Sequence, residues 1–215
     1  MTIGIVIPCY KPHIGKLVRL LESIDAQTLS PDAVVVSCSS ATLADFPTLR
    51  TYKFPITFIT HSGRLNAAQN RNCAAKLLNT EFVSFFDADD IMHPQRIEAI
   101  LTAFSIGAQI VLHNYNDSPD ARFEHIDGFD VEYDTIARAD SGCTVHKRDT
   151  RIKIHHSQAS VVSHILNRIK FDEDTAVERR EDSLFCGNVV AAGYKTGYIS
   201  NPLSNYDPAG ETIIS

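Results

Sequence analysis

Hydrophobic and polar positions follow two alternating periods through the first half of the chain. Residues 3–7 form a short apolar, β-branched run that Pro8 is expected to stop, the mark of a buried strand. From Ile14, the apolar positions Ile14, Leu17, Val18, Leu21 and Ile24 recur at helical spacing, which predicts an amphipathic helix to about Gln27. Further strands are expected over 33–36, 56–60, 82–86 and 109–112. Between them lie an Ala-rich helix over 66–78 and a helix opened by Pro94, with Ile97, Ile100, Leu101 and Phe104 on one stripe. Strict alternation of strand and helix predicts an α/β domain with a mainly parallel sheet covered on both faces.

The pattern weakens from 114 to 153, where strand pairs, in part antiparallel, and loops are expected. Residues 159–165 read as a strand or a short helix. A helix over 180–192 should bury Leu184, Phe185, Val189 and Val190 and end at Gly193. A strand over 195–200 and an irregular tail of about a dozen residues complete the reading. In parallel sheets ligands sit beyond the carboxyl ends of the strands. Those ends carry Pro8-Cys9-Tyr10, Ser37-Cys38-Ser39-Ser40 and Asp87-Ala88-Asp89, so polar chemistry collects on one edge.

Composition narrows the class. With 215 residues, 44% hydrophobic and 21% charged, the chain has ordinary globular usage and room for one sizeable domain. A net charge of −6 argues against nucleic-acid or anionic-membrane partners. No apolar run is long enough for a transmembrane segment, and the N-terminus lacks the basic flank of a signal peptide, so a cytoplasmic location is expected. The five cysteines are scattered and never spaced C-x-x-C, which predicts reduced thiols and neither disulfides nor zinc. His155 and His156 are a poor chelate on either a strand or a helix.

Three segments carry candidate chemistry. In FVSFFDADDIMHP, three carboxylates within four residues need solvent or a cation to sit together. Asp87 and Asp89 can reach one side of a turn, and hard oxygens of this kind suit Mg²⁺ or Mn²⁺ when a phosphate completes the shell. A solvated turn capping the next helix is the other reading, and Asp90 is expected to act as that cap. In HSGRLNAAQNRN, Arg64 and Arg71 offer charge to an anion or to the aspartates, against ordinary exposed helix polarity. In RREDSLF, Glu181 and Asp182 open a helix, as helix caps or with one carboxylate aimed into a cleft as a general base. Their directions differ by about 100°, so only one is expected to face the cleft well.

Taken together, IVIPCYKP, GRLNAAQNRNCA, VSFFDADDIMHP and REDSLFCGNVVAAGYKTGYISNPLSNY resemble, in order and spacing, the family 2 glycosyltransferases of GT-A fold. The resemblance implies a single Rossmann-like GT-A domain over 1–215, with a nucleotide-binding half (1–113) and an acceptor-binding half (114–215). It implies an inverting, metal-dependent transfer of a sugar from a nucleotide diphosphate sugar, by default a UDP-sugar, to a hydroxyl of a glycan or other acceptor. By the same resemblance Pro8 and Tyr10 lie under the base. Arg71 matches the Arg of an Ala-Arg-Asn helix, with Asn70 where Ala is usual. Asp87 and Ala88 face the nucleotide, Asp89 holds Mn²⁺ or Mg²⁺, and Asp182 is the base, with Glu181 a cap or acceptor contact beside it. Where the family carries Asp-Asp-Gly-Ser after its second strand, this chain has Ser37-Cys38-Ser39-Ser40, so the base identity stays open. Ser37 and its neighbours are expected to reach the base through hydroxyl or backbone groups. A catalytically silent sugar-nucleotide-binding or scaffold domain is the alternative from another class. A nucleotidyltransferase or dehydrogenase is disfavoured, because no Gly-rich phosphate loop follows the first strand.

Overall fold

The computed structural model describes residues 1–47, 51–177 and 179–207. Four strands of the N-terminal half, β1 (Ile3–Tyr10), β2 (Ala33–Ser39), β3 (Ile56–His61) and β4 (Phe82–Phe85), pair in parallel in the order β3-β2-β1-β4. Three helices cover them: α1 (Ile14–Asp25), α2 (Ala67–Ala75) and α3 (Arg96–Ser105). The sheet continues through β10 (Ser160–Val162), antiparallel between β4 and β6 (Ile110–Asn116). Next comes β11 (Thr196–Asn205), parallel to β6, followed by the short β5 (Ile91–Met92). The strand β7 (Val131–Tyr133) adds to β11, and β8 (Ile136–Arg138) pairs with β9 (Thr144–His146) as a small antiparallel sheet. The α/β class, the mainly parallel core and the small antiparallel part all match the sequence reading.

Alternation along the strands builds two cores. Ile3, Ile5, Ile7 and Cys9 of β1 face α1 and α3, with Val34 and Val36 of β2 beside them. Val6, Val35, Val83 and Phe85 face the other way, toward α2 and α4 (Glu181–Ala191). A sheet buried on both faces needs near-continuous apolar strands, which is what these sequences supply.

Several boundaries differ from expectation for identifiable reasons. Pro8 does not stop β1. Val6 O accepts from Phe86 N on the β4 side, and Pro8 faces that same side beyond the last β4 pair, so its missing N–H interrupts nothing. Strand β2 likewise runs on through Ser37, Cys38 and Ser39, all buried. Pro94 precedes α3, whose N-cap is Gln95. The predicted strand over 195–200 extends to Asn205, absorbing part of the expected tail; the remainder, 208–215, lies outside the described residues. In α4 the buried face is Phe185, Cys186, Gly187 and Val189, while Leu184 and Val190 are only partly covered. Gly193 closes the helix with φ +84°, as its position suggested.

The unexpected burial of Gly187 fixes how α4 meets the second half. A Cβ there would lie 1.8 Å from the Gly142 carbonyl oxygen in the β8–β9 connection. Helix propensity alone favours Gly187→Ala by about 1 kcal/mol; the contact predicts the opposite sign. We expect Gly187→Ala to cost roughly 1–3 kcal/mol, as overpacking does. Thermal unfolding followed by circular dichroism should show a lower midpoint, and a raised midpoint would mean that this helix–loop contact is loose.

Candidate functional site

Strands β1, β2, β4, β6 and β11 all run in the same direction, so their carboxyl ends share one edge of the sheet. A cleft of about 560 Å³ opens along that edge. Pro8 and Tyr10 line it from β1, Asp87, Ala88 and Asp89 from the turn after β4, and Tyr206 and Asp207 from just beyond β11. Glu181 and Asp182 enter from the start of α4, and Arg64 and Arg71 from α2 and the loop before it. Eight of the nine residues singled out by sequence for ligand, metal or base roles, together with Glu181, are thus brought to one cavity or its wall.

Helix α2 supplies the cation that organises this wall. Asn66 caps it reciprocally: its side chain accepts from Gln69 N (2.8 Å) while Gln69 Oε1 accepts from Asn66 N (3.0 Å). One turn on, Arg71 is buried, donating from Nη1 to Glu181 Oε1 at 2.8 Å and from Nη2 to Asp87 Oδ1 at 2.7 Å. Burial opposes its charge, but Asp87 and Glu181 outweigh that and hold the guanidinium protonated, above its ordinary value. The Phe171 ring lies 5.2 Å from the guanidinium carbon and shields the group from water. Glu181 is therefore a buried partner of Arg71, not a helix cap.

Among the described residues, two carboxylates of the cleft lack a comparable partner. Asp89 is pushed up to about 7, by burial first and then by Asp87 and Asp90. Its nearest basic atom is His13 Nδ1 at 3.8 Å, and burial, then Lys16, keeps His13 below its ordinary value and so poorly charged. Asp182 is pushed up to about 6 by burial, with Glu181 adding to the shift and Arg71 opposing it. Its Oδ1 accepts from Ser183 N at 2.6 Å.

Asp90 does not cap α3. It is buried and accepts from Gln158 Nε2 (2.6 Å) and Asp207 N (3.0 Å), with His155 Nε2 at 3.2 Å. It thereby fixes two further elements of the cleft wall. Ser37 departs from expectation as well. It is fully buried behind the wall, and its hydroxyl donates to Asn70 Oδ1 (2.9 Å) and lies 3.1 Å from His61 Nε2, so it is not presented to the cleft. The Asn that replaces the usual Ala thus takes up the serine that replaces an Asp.

Sequence reasoning missed His13, Tyr115, His155, Arg179 and Asp207 on the cleft wall. Arg179 and Asp207 sit within or beside motifs already noted, but Tyr115 comes from the unpatterned region and His155, weighed only as a metal chelate, from just after it, and only the sheet order brings them in.

The family description "Glycosyl transferase family 2" matches residues 4–170. The chain belongs to that family. An uncharacterized glycosyltransferase of Haemophilus influenzae is 30% identical over 101 residues, 46% of this chain and 33% of that protein. The amylovoran biosynthesis glycosyltransferase AmsB of Erwinia amylovora is 25% identical, over 96% of this chain and 69% of its own length. Among solved structures, S. aureus TarS 1-349 in complex with UDP superposes with a TM-score of 0.67 at 16% identity, over 96% of this chain and 60% of that one. The chain therefore spans a third of one curated relative and about two thirds of the other.

In this family 2 domain Asp89 is a half-buried carboxylate crowded by Asp87 and Asp90, with His13 Nδ1 3.8 Å away. Among the described residues no group of three or more His, Cys, Asp or Glu side chains is placed to hold a metal ion, so a cation at Asp89 would take its remaining ligands from water or phosphate oxygens. Also among them, no helix is long and apolar enough to cross a membrane.

The shift at Asp182 has a stability consequence. Its carboxyl holds a proton more tightly when folded (about 6) than at the ordinary value of 3.8, so the stability it contributes is present below pH 3.8 and lost as pH rises through 6. Relative to the native chain, Asp182→Asn should gain stability between pH 4 and pH 7 and show no gain at pH 4. Urea unfolding at both pH values reads this directly; a variant that loses stability at pH 7 would mean that the charge is favourably held.

Proposed function

We propose that this domain transfers a sugar, with inversion, from a nucleotide diphosphate sugar to an acceptor hydroxyl, with Asp182 as general base. The observation that carries the reading is the placement of Asp182 in the same cleft as Asp87 and Asp89, tied to them through Glu181 and Arg71. Family membership supports the donor class, and the UDP bound to TarS supports uridine as the base. Pro8 and the half-buried Tyr10 are the wall for that base, since nucleotides in such sheets lie across the strand ends.

The roles follow from charge and geometry. When bound, Mn²⁺ or Mg²⁺ at Asp89 supplies positive charge to the departing diphosphate. Asp87, held in place by Arg71, can accept hydrogen bonds from the ribose hydroxyls. Asp182 engages Ser183 N through Oδ1, which leaves Oδ2 to take the acceptor proton. As the acceptor oxygen bonds to the anomeric carbon, the bond from that carbon to the diphosphate oxygen breaks, and the proton passes to Asp182. A carboxyl held near 6 is a better base than an ordinary aspartate and stays ionised at neutral pH.

Two experiments test this. Isothermal titration should show tighter UDP binding with Mn²⁺ than with EDTA, and Asp89→Ala should abolish most of the difference; equal affinity in both buffers would sink the metal assignment. Asp182→Asn should bind UDP as the native chain does, yet transfer roughly 10²–10⁴-fold more slowly. Native-like transfer by that variant, or a larger defect in Glu181→Gln, would remove Asp182 as base. UDP binding without any turnover by the native chain would favour a silent binding domain.

A further inference from the structure

The cleft holds a cluster of rings to which the roles proposed above give no part. Tyr115 at the end of β6, Tyr206 just beyond β11 and His155 form a closed triangle. Their centroids are 4.8 Å apart for Tyr115–His155, 5.6 Å for His155–Tyr206 and 5.8 Å for Tyr115–Tyr206. All three line the cleft. His155 is the fixed member: buried, with Nε2 3.2 Å from Asp90 Oδ2, Nδ1 3.1 Å from Ser157 Oγ, and its backbone N–H donating to His113 O at 3.0 Å. Tyr206 N donates to Asn116 O at 2.9 Å, pinning the second ring to the end of β6. The tyrosines are only half-buried, and their planes meet at 75°. They make a rigid aromatic corner.

Position along the sheet says what this corner can hold. The order β1-β4-β10-β6-β11 places β6 three strand spacings from β1, on the order of 14 Å. If the base lies at Tyr10 and the diphosphate at Asp87 and Asp89, the corner lies on the far side of the diphosphate, in the half of the chain that the nucleotide does not use. A pyranose has an apolar face of C–H bonds and a rim of hydroxyls. The electron-rich face of Tyr206, or the face of Tyr115 away from Lys153 Nζ (5.4 Å from its centroid), takes the first, and polar groups of the cleft lining take the second. Tyr115 also borders a second depression of about 500 Å³ that includes Lys153 and Tyr198, so a chain longer than one ring has somewhere to continue.

We propose that Tyr115 and Tyr206, held by His155, form a subsite for a pyranose ring of the acceptor, which makes the acceptor a saccharide and not a simple polyol or protein hydroxyl. This rests on the proposed transferase reading. Saturation-transfer NMR on the full chain with UDP tests it, using methyl β-glucopyranoside and methyl N-acetyl-β-glucosaminide as probes and ribitol and glycerol as controls. We expect saturation from the pyranosides, strongest on the axial protons of one ring face, and background from the polyols. Tyr115→Ala and Tyr206→Ala should lose the pyranoside signal and keep native UDP affinity, while Tyr115→Phe retains both. Absent or equal signals from pyranosides and polyols, or an unchanged signal in the Ala variants, would overturn the subsite. So would joint loss of UDP and pyranoside binding, which would place the tyrosines in the nucleotide site. Failure of the native chain to bind UDP would instead count against the donor reading, and the pyranoside arm reports independently of it.

Discussion

A single buried guanidinium holds the two halves of this site in register. Arg71 reaches Asp87 on one side and Glu181 on the other, linking the turn after β4 to the first residue of α4 across a sequence separation of about a hundred positions. Removing one partner of a buried ion pair typically costs 3–5 kcal/mol, because the partner left behind is charged and out of water. Here both partners are carboxylates facing one cation, so neither can move independently. Asp182, next to Glu181, takes its place relative to Asp87 and Asp89 from this clamp.

The clamp also divides the acidic residues of the cleft by role. Asp87 and Glu181 share the one Arg71 cation, which holds both in place as hydrogen-bond acceptors. Asp89 and Asp182 are not in that clamp, and burial first, then neighbouring carboxylates, raise them to about 7 and about 6. Carboxylates a few residues apart thus differ in their affinity for a proton, through burial first and then through which of them the arginine reaches.

Behind the wall, a second polar layer carries the other end of the site. Arg96, fully buried, donates to Ser84 Oγ and to Gln158 O, and Gln158 in turn donates to Asp90. Burial without a carboxylate partner lowers Arg96 to about 9. Its hydrogen bonds tie α3 to the middle of the sheet, and through Asp90 they set the positions of Asp207 and His155. The strand order then decides which side chains meet, since β10 and β11 bring residues near 155 and 206 to the edge shared with residues 8 and 87.

Local pattern was enough for much of this. The period-2 and period-3.6 runs identified the parallel strands and α1 to α4, and the polar strand ends identified the edge where Pro8, Tyr10, Asp87 and Asp89 lie. Such signals are local because burial on a strand or helix face repeats with the geometry of that element. The failures were also local readings, applied where distant chain decides. Pro8 continues β1 because β4 happens to end beside it, Ser37 is consumed by Asn70, and Asp90 answers Gln158 and Asp207 in place of the helix beside it. No sequence period placed Tyr115 or His155 beside Tyr206, which closes the last family-like segment. The sequence by itself determined which elements form and which edge is polar; only the tertiary structure decided which charges are paired and which rings meet, because pairing depends on strand order and burial that no local period encodes.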